Sequence, residues 1–179
     1  MTVSHPVVGL SAFLLVAGVQ AAEYNFSFDV PYGQYERQFK MKTPGDGTLN
    51  CTVFIEKEYR GEKWVPAVIL AAAEDDAEDD TLFLSSSTEP NGGPRTFHLR
   101  TFNQAKPVID KTLWQAPDEK GVYKLAVSWY ANGAIGYQYG VYASWQEKQF
   151  VEKPGFSTRH VSVHASGVKG SALCYVQTK

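Results

Sequence analysis

Residues 124–142 read KLAVSWYANGAIGYQYGVY, and this stretch decides the fold. Two runs rich in aromatic and β-branched residues flank Asn132-Gly133, and Asn-Gly is the strongest short-range signal for a β-hairpin. A two-residue turn at this pair places Ala131 opposite Ala134, and the rest of the register follows by counting outward. The sequence therefore predicts an antiparallel hairpin with a tight turn.

The predicted register gives the hairpin two chemically different faces. The first face reads as core and carries Leu125, Val127 and Trp129 opposite Gly140, Gln138 and Gly136. The second face carries Tyr130, Tyr137 and Tyr139, with Tyr142 and Trp145 near the following loop. Such rings offer flat apolar faces with polar edges, on which a sugar can stack. Two interpretations stay open: a binding shelf of tyrosines, or tyrosines that fill the core.

The rest of the chain repeats the same kind of pattern. Aromatic residues make up 13% of the sequence, and 15 Gly and 9 Pro separate short apolar runs without internal repeats or helical periodicity. Strands are predicted at residues 25–30, 36–42, 49–58, 67–72, 81–85, 95–102, 122–130, 134–142, 160–165 and 172–177. Many short strands joined by turns predict an all-β fold, a two-sheet antiparallel sandwich of jelly-roll character.

The N-terminus predicts an export signal. Residues 7–19 are apolar and uncharged, too few to span a bilayer, and small residues follow at Ala21 and Ala22. Residues 1–22 are therefore interpreted as a signal peptide and residues 23–179 as one β-sandwich domain, with a buried N-terminal helix as the alternative. We expect a secreted, extracellular protein (periplasmic in a Gram-negative bacterium), because no later segment is long and apolar enough for a membrane span.

Charge and cysteine content restrict the partners and the compartment. With 17 basic and 19 acidic residues, the chain lacks the basic excess of a nucleic-acid-binding protein. Cys51 and Cys174 are the two cysteines, and in an oxidising compartment such a pair predicts a disulfide, with two free buried thiols as the alternative. Asn25 and Asn50 begin Asn-x-Ser/Thr sequons and are candidate glycosylation sites. The oligomeric state is not indicated.

An early strand beside the last one, followed in the chain by a late hairpin, resembles the jelly rolls of the concanavalin A-like lectin/glucanase superfamily. The hairpin residues that carry the resemblance are Val127, Trp129, Asn132, Gly133, Ile135, Tyr139 and Gly140. The resemblance implies recognition or cleavage of glycans on a concave sheet. Our leading expectation is non-catalytic binding of carbohydrate or glycoprotein glycans, with Tyr130, Tyr137 and Tyr139 stacking and His98 or Arg100 making polar contacts.

Two alternatives to simple binding remain. His98 and Arg100 alternate with apolar residues on one predicted strand, so they share a face. With Tyr137 they resemble the catalytic set of jelly-roll polysaccharide lyases, in which a proton is abstracted beside a neutralised carboxylate. The enzyme alternative is therefore a lyase, or a glycoside hydrolase, that uses His98, Arg100 and Tyr137. The third hypothesis is a secreted structural or host-interaction protein without a glycan ligand.

Residues 74–80 place six carboxylates in seven positions. Clustered oxygen ligands suit Ca²⁺, and the candidate ligands are Glu74, Asp76, Glu78, Asp79 and Asp80. The alternative is a solvated acidic loop between two strands. Alternate acids in this run also match the catalytic strand of some glucanases, but Asp75 would then point unpaired into the core, so we treat that match as coincidence.

His160 and His164 share one face of a predicted strand, with Ser162 between them. Four residues along a strand span about 13 Å, which is too far for one metal ion. The sequence therefore gives these histidines no metal site of their own.

Overall fold

The computed structural model describes residues 20–89, 92–116, 121–142 and 144–179, and these residues form β-strands without any helix. The strands are β1 (Gln20–Lys42), β2 (Gly47–Glu58), β3 (Ala67–Ala73), β4 (Thr81–Ser87), β5 (Arg95–Asn103), β6 (Lys106–Ala116), β7 (Val122–Trp129), β8 (Ile135–Val141), β9 (Gln149–Val151) and β10 (His160–Thr178). Within the described ranges there is accordingly no helix with the length and hydrophobicity that membrane crossing requires. The predicted all-β class is confirmed.

Two long strands, β1 and β10, belong to both layers of the sandwich. They pair with each other along most of their length, while β3 pairs with the first half of β10 and β2 with the second half. The front sheet therefore has the order β6-β5-β4-β3-β10-β1, and the back sheet has the order β9-β8-β7-β2-β10-β1. Gly33 and Gly167 lie where the two strands change sheets, with φ of 77° and 59°. Such backbone angles strain any residue with a Cβ, so glycine suits this bend.

Apolar residues at alternating positions of each strand form the core between the two sheets. Val161, Val163 and Ala165 of β10 face it from the front sheet, and all three are fully buried. From the back sheet, Tyr139 lies against Phe97 of β5, with 5.1 Å between ring centroids. Burying each large apolar side chain contributes about 1.5 to 3 kcal/mol, so this alternation is the main source of stability.

The predicted disulfide between Cys51 and Cys174 is confirmed. The two cysteines lie directly opposite each other on β2 and β10, and both are fully buried. The bond therefore joins an early strand to the last one inside the back sheet, as the sequence predicted.

A buried ion pair also ties the two sheets together. Glu58 of β2 accepts hydrogen bonds from Arg95 of β5 at 2.6 Å, from Arg60 at 2.7 Å and from Thr88 at 2.9 Å. Burial favours the neutral acid, but the hydrogen bonds from Arg60 and Thr88 and the charge of Arg95 outweigh it and lower the pKa of Glu58. Arg95 also lies over the ring of Tyr123, 4.4 Å from its centroid. The charges of Glu58, Arg60 and Arg95 are paired with one another, so we assign these residues a structural role.

The hairpin between β7 and β8 has a different turn from the predicted one. Tyr130 N–H donates to Ala134 O at 3.2 Å and Gly133 N–H donates to Tyr130 O at 2.9 Å, so the loop has three residues, with Gly133 at φ 83°. Trp129 therefore pairs with Ile135. Since side chains alternate along a strand, this shift of one residue moves the partners in β8 to the other face. The predicted register was wrong, although the hairpin itself is confirmed.

Two strands had no clear signal in the sequence. The turn before β6 consists of Gln104 and Ala105, whose φ angles are 51° and 59°. Both central residues of such a turn need positive φ, which Asn and Gly favour and Gln and Ala do not. β9 has three residues and pairs only with β8 among the described strands. The predicted strands at 25–30 and 36–42 are halves of β1, and those at 160–165 and 172–177 are halves of β10.

Residues 1–19 of the predicted signal peptide lie outside the described residues. Gln20, Ala21 and Ala22 pair with the end of β10, at Thr178, Gln177 and Val176. The signal peptide and the boundary of the domain stay predictions.

Candidate functional site

The acidic run of residues 74–80 folds over the outer face of the front sheet. Ser162 and His164 of β10 alternate with the core residues of that strand, so they point away from the core. Both are nevertheless buried, with 0% and 1% exposure, because Glu78 lies on top of them. One carboxylate oxygen of Glu78, Oε1, accepts hydrogen bonds from Ser162 Oγ and from His164 Nε2, each at 3.0 Å.

Basic residues of β1 hold the acidic loop in this position. Arg37 donates from Nη2 to Glu78 Oε1 and to the backbone oxygen of Asp76, both at 3.2 Å. Lys40 forms an ion pair with the carboxylate of Asp76. Glu78 itself has a φ of 62°, a left-handed backbone that persists in a non-glycine residue only when the surroundings enforce it. The loop is therefore clamped, with one acid pointing inward.

The surroundings of Glu78 favour its charged form. Burial alone would raise its pKa, but the hydrogen bonds and charge of His164, with the Ser162 hydrogen bond and the Arg37 charge, lower the pKa below its ordinary value. Tyr35 stacks on the His164 ring with centroids 4.8 Å apart. Burial, together with the negative charge of Glu78, raises the pKa of Tyr35. The site therefore holds an anionic carboxylate beside a neutral phenol.

Ser162, His164 and Glu78 do not form a catalytic triad. In a triad the histidine contacts serine through one ring nitrogen and the acid through the other. Here both partners lie at Nε2, with Ser162 Oγ at 2.8 Å, and Nδ1 is buried without a hydrogen-bond partner among the described residues. Ser162 is also fully buried and unreachable by a substrate. The arrangement positions Glu78 and does not activate a nucleophile.

An open groove of about 410 Å³ lies beside Glu78, and we call it the outer groove. Its aromatic walls are Tyr35, Phe83 and Phe102, from β1, β4 and β5. Glu78 and Asp79 contribute carboxylates, and Ile69, Ala77 and Ala105 complete the lining. Phe83 and Phe102 meet edge to face at 5.7 Å. Ala105 N–H donates to Asp79 O at 2.9 Å, so the acidic loop is fastened to the turn before β6 as well.

His98 and Arg100 share a face of β5, as their alternation predicted, and this face is the outer one of the front sheet. His98 pairs with Ser85 and Arg100 with Phe83 on the neighbouring strand, next to the outer groove. Arg100 contacts Asp110 at 3.2 Å. Burial, assisted by the charge of Arg100, lowers the pKa of His98. Three strand spacings, about 14 Å, separate His98 from His164.

The three tyrosines of the predicted shelf do not share an open face of the hairpin. In the observed register Tyr137 and Tyr139 face the core opposite Val127 and Leu125, and each is 4% exposed. Burial raises the pKa of both phenols, and Tyr137 donates to Gln149 Oε1 at 2.7 Å. Their ring faces pack inside the sandwich, so they lack the open surface that stacking on a sugar needs.

The remaining members of the predicted ligand set are separated as well. Tyr130 lies at the hairpin loop, Tyr142 is 48% exposed, and the Trp145 ring lies 5.4 Å from Lys124 Nζ on the back sheet. His98 and Arg100 occupy the outer face of the front sheet, whereas Tyr137 points into the core from the back sheet. The three residues of the lyase hypothesis therefore cannot meet in one cleft.

The carboxylates of the acidic run have separate partners. Glu74 pairs with Arg159 at 3.5 Å, Asp76 with Lys40, and Glu78 with His164 and Arg37. Asp80 accepts a hydrogen bond from the backbone of Gln104 at 2.8 Å. Across the described ranges, no three side chains of the metal-ligating types converge. Ca²⁺ binding by Glu74, Asp76, Glu78, Asp79 and Asp80 stays a prediction without support from this arrangement.

The two sequons differ in their surroundings. Asn25 is exposed on β1, and Asn50 is half-buried in β2 between Ala126 and Tyr175 of the neighbouring strands. Glycosylation at either position stays a prediction, and Asn25 has more room for a glycan.

The sequence contained one partial signal for this site. Ser162 and His164 alternate with valines, which predicted that they share a face of the strand; the structure shows that this face points away from the core. The position of Glu78 had no signal, because the sequence does not distinguish the six acids of residues 74–80 before the path of the loop is known. Tyr35 was likewise missed, since it follows the bend of β1, between Val30 and Tyr35, where the pairing with β10 shifts.

Replacing Glu78 with glutamine should lower the free energy of unfolding by about 1.5 to 3 kcal/mol, the contribution of hydrogen bonds to a charged group. The amide keeps the shape but removes the charge that His164 and Arg37 face. The matched control is Asp76→Asn in the same loop, whose carboxylate is 86% exposed and should contribute about 1 kcal/mol or less. Urea denaturation at pH 7 measures both variants. Equal losses would contradict the special position of Glu78.

Urea denaturation of the native protein and of Glu78→Gln at several pH values gives a second test. Because folding lowers the pKa of Glu78, its stabilising contribution is present above the unfolded value of about 4.3 and is lost as pH falls through the folded pKa. The stability difference between the native protein and Glu78→Gln should therefore shrink in acid.

The chain matches no protein-family profile and no curated protein sequence. Among solved structures, a functionally unknown protein from Saccharomyces cerevisiae aligns with a TM-score of 0.56 and 12% identity, over 88% of each chain. Scytalido-glutamic peptidase aligns with a TM-score of 0.54 and 9% identity, over 74% of this chain and 63% of its own. CG-16, a homodimeric agglutinin from chicken liver, aligns with a TM-score of 0.50 and 11% identity, over 79% and 98%. At these identities the matches show the fold, which is the predicted concanavalin A-like sandwich.

Proposed function

We propose that this chain is an exported carbohydrate-binding protein and that its sugar site is the outer groove. One observation carries the proposal: aromatic side chains from three strands share an open groove with a fixed, anionic carboxylate. Sugar rings present C–H faces that pack on aromatic side chains and hydroxyls that need directed acceptors. The outer groove offers both kinds of contact within one surface.

The geometry of Glu78 fits a hydroxyl ligand. Its hydrogen bonds within the described residues all use Oε1, from Ser162, His164 and Arg37. Oε2 makes none of these bonds, and 8% of the Glu78 side chain is exposed, so a sugar hydroxyl would donate to Oε2 at that exposed edge. Because the three donors fix the carboxylate before binding, little side-chain entropy is lost when a ligand arrives. His98 and Arg100, on the same face, would supply polar contacts to a ligand that extends along β5.

The fold leaves binding and catalysis open, and the disulfide gives secondary support for export. An agglutinin and a peptidase share this sandwich, so the fold by itself does not choose between binding and catalysis. The chemistry beside the outer groove favours binding, since Ser162 beneath Glu78 is buried and the Glu78 carboxylate already accepts three hydrogen bonds. The Cys51–Cys174 bond suits an oxidising compartment, which supports export.

A glycan array on the purified protein tests the proposal. We expect retention of at least one class of glycan. Phe83→Ala should weaken its binding about two- to tenfold, because one stacking face contributes about 0.5 to 1.5 kcal/mol. The control is Phe54→Ala, which removes a 40% exposed ring of β2 and should leave binding unchanged. An array without retained glycan would refute the proposal and favour the structural or host-interaction hypothesis.

A further inference from the structure

Lys148 occupies an unusual position on the back sheet, between β8 and β9. Its Nζ donates to Ser128 Oγ and to Tyr130 OH, each at 2.8 Å. The same atom lies 5.4 Å from the Tyr130 ring centroid and 5.7 Å from that of Phe150. A Cβ on Gly136 would come within 2.6 Å of Lys148 Cε, so this glycine makes the room in which the lysine lies.

No described carboxylate forms an ion pair with Lys148. In the part of the chain that the structure describes, the carboxylates all lie more than 4.0 Å from its Nζ. An ammonium has three N–H donors, and Ser128 and Tyr130 use two of them. One donor and a whole positive charge therefore remain for a ligand.

A groove of about 640 Å³ opens beside this lysine, and we call it the hairpin groove. Its aromatic sides are Tyr130 and Phe150, whose ring centroids lie 6.1 Å apart, and Phe150 is 53% exposed. Asn132 and Ala134 of the hairpin loop, with Glu152 and Lys153, complete the lining. Glu152 and Lys153, the charged residues of the lining, offset each other. Lys148 is not part of the lining but lies beside its two aromatic rings, so it adds a positive charge next to the groove.

We propose that the hairpin groove is a second binding site, specific for acidic sugars. The carboxylate of a uronic acid unit would accept a charge-assisted hydrogen bond from Lys148, and its ring would pack on Phe150. A serine nucleophile activated by Lys148 is excluded by burial, because Ser128 is 2% exposed. The inference goes beyond the proposed function: it uses a different sheet and no residue of the outer groove.

Calorimetric titration with tri-galacturonic acid and with its methyl ester tests the proposal, because the two ligands differ in charge and share their ring structure. We expect the acid to bind at least tenfold more tightly than the ester. Added salt should weaken binding of the acid and leave binding of the ester unchanged. Lys148→Gln should lower affinity for the acid at least tenfold. The matched control is Lys124→Gln, which removes a lysine that lies over the Trp145 ring on the same sheet and should change nothing.

Further variants separate the two sites. Phe150→Ala removes an exposed ring from the side of the groove and should lower the affinity for tri-galacturonic acid about tenfold. This variant remains informative even if Lys148→Gln fails to fold. Phe83→Ala should leave the titration unchanged, so loss of the outer groove and loss of the hairpin groove give different results. Equal affinity for acid and ester, no binding of the acid, or a Phe150→Ala protein that binds as tightly as the native one would each overturn the proposal.

Discussion

Simultaneous replacement of Cys51 and Cys174 by alanine is expected to lower the free energy of unfolding by about 4 to 5 kcal/mol. The bond joins residues 123 positions apart, and closing so long a loop removes much of the conformational entropy of the unfolded chain. Typical domains have only 5 to 15 kcal/mol of stability, so a large share of the total depends on this one link. Urea denaturation of both proteins, analysed by linear extrapolation, measures the difference.

Reduction of the native protein provides the control for this prediction. It opens the same link while keeping both sulfur atoms in the core, so it separates loop entropy from the cavity left by alanine. The reduced protein should lose most of what the double variant loses. A loss below about 1 kcal/mol in both would contradict the entropic role of the bond.

The second large effect is expected from Tyr137. Replacement by alanine should cost about 3 to 5 kcal/mol, as for other large aromatic side chains removed from a packed core. Replacement by phenylalanine keeps the ring and loses only the hydrogen bond to Gln149, so it should cost about 0.5 to 1.5 kcal/mol. Thermal and urea unfolding of the two variants give both values.

Tyr142→Ala is the matched control, because this tyrosine is 48% exposed and its loss should change stability by about 0.5 kcal/mol or less. Comparing Tyr137→Ala with Tyr142→Ala also tests the tyrosine shelf that the sequence predicted. If Tyr137→Ala retained full stability and lost glycan binding, the ring would be a ligand contact and the observed register of β8 would be wrong.

The hairpins show how far local sequence signals reach. Asn132-Gly133 correctly predicted a turn between β7 and β8, yet the loop has three residues. Asn132 Oδ1 accepts from Ala134 N–H at 3.0 Å and Asp46 accepts from Ala131 N–H at 2.6 Å, so side chains inside and outside the hairpin select this loop. The two-residue turn that Asn-Gly favours occurs instead at Gln104-Ala105. There the paired strands impose positive φ on residues that do not prefer it.

For the candidate site, the sequence predicted which residues share a face of a strand without predicting their partners. Strand alternation placed His98 with Arg100 and Ser162 with His164, because that periodicity is local. Which acid of residues 74–80 would meet His164 depends on Arg37, Lys40 and the turn before β6, which are distant in sequence. The same holds for Lys148, whose partners Ser128 and Tyr130 belong to another strand and its turn.

The sequence by itself determined the all-β class, the alternation that builds the core, and the disulfide, because each depends on residue type and on a period of two. The tertiary structure alone decided the register of the β7–β8 hairpin, the union of two pairs of predicted strands into β1 and β10, and the burial of Tyr137 and Tyr139. It also decided that Glu78 is the acid of residues 74–80 that contacts Ser162 and His164. These features depend on contacts between residues far apart in the chain, where a shift of one position exchanges the core face with the solvent face.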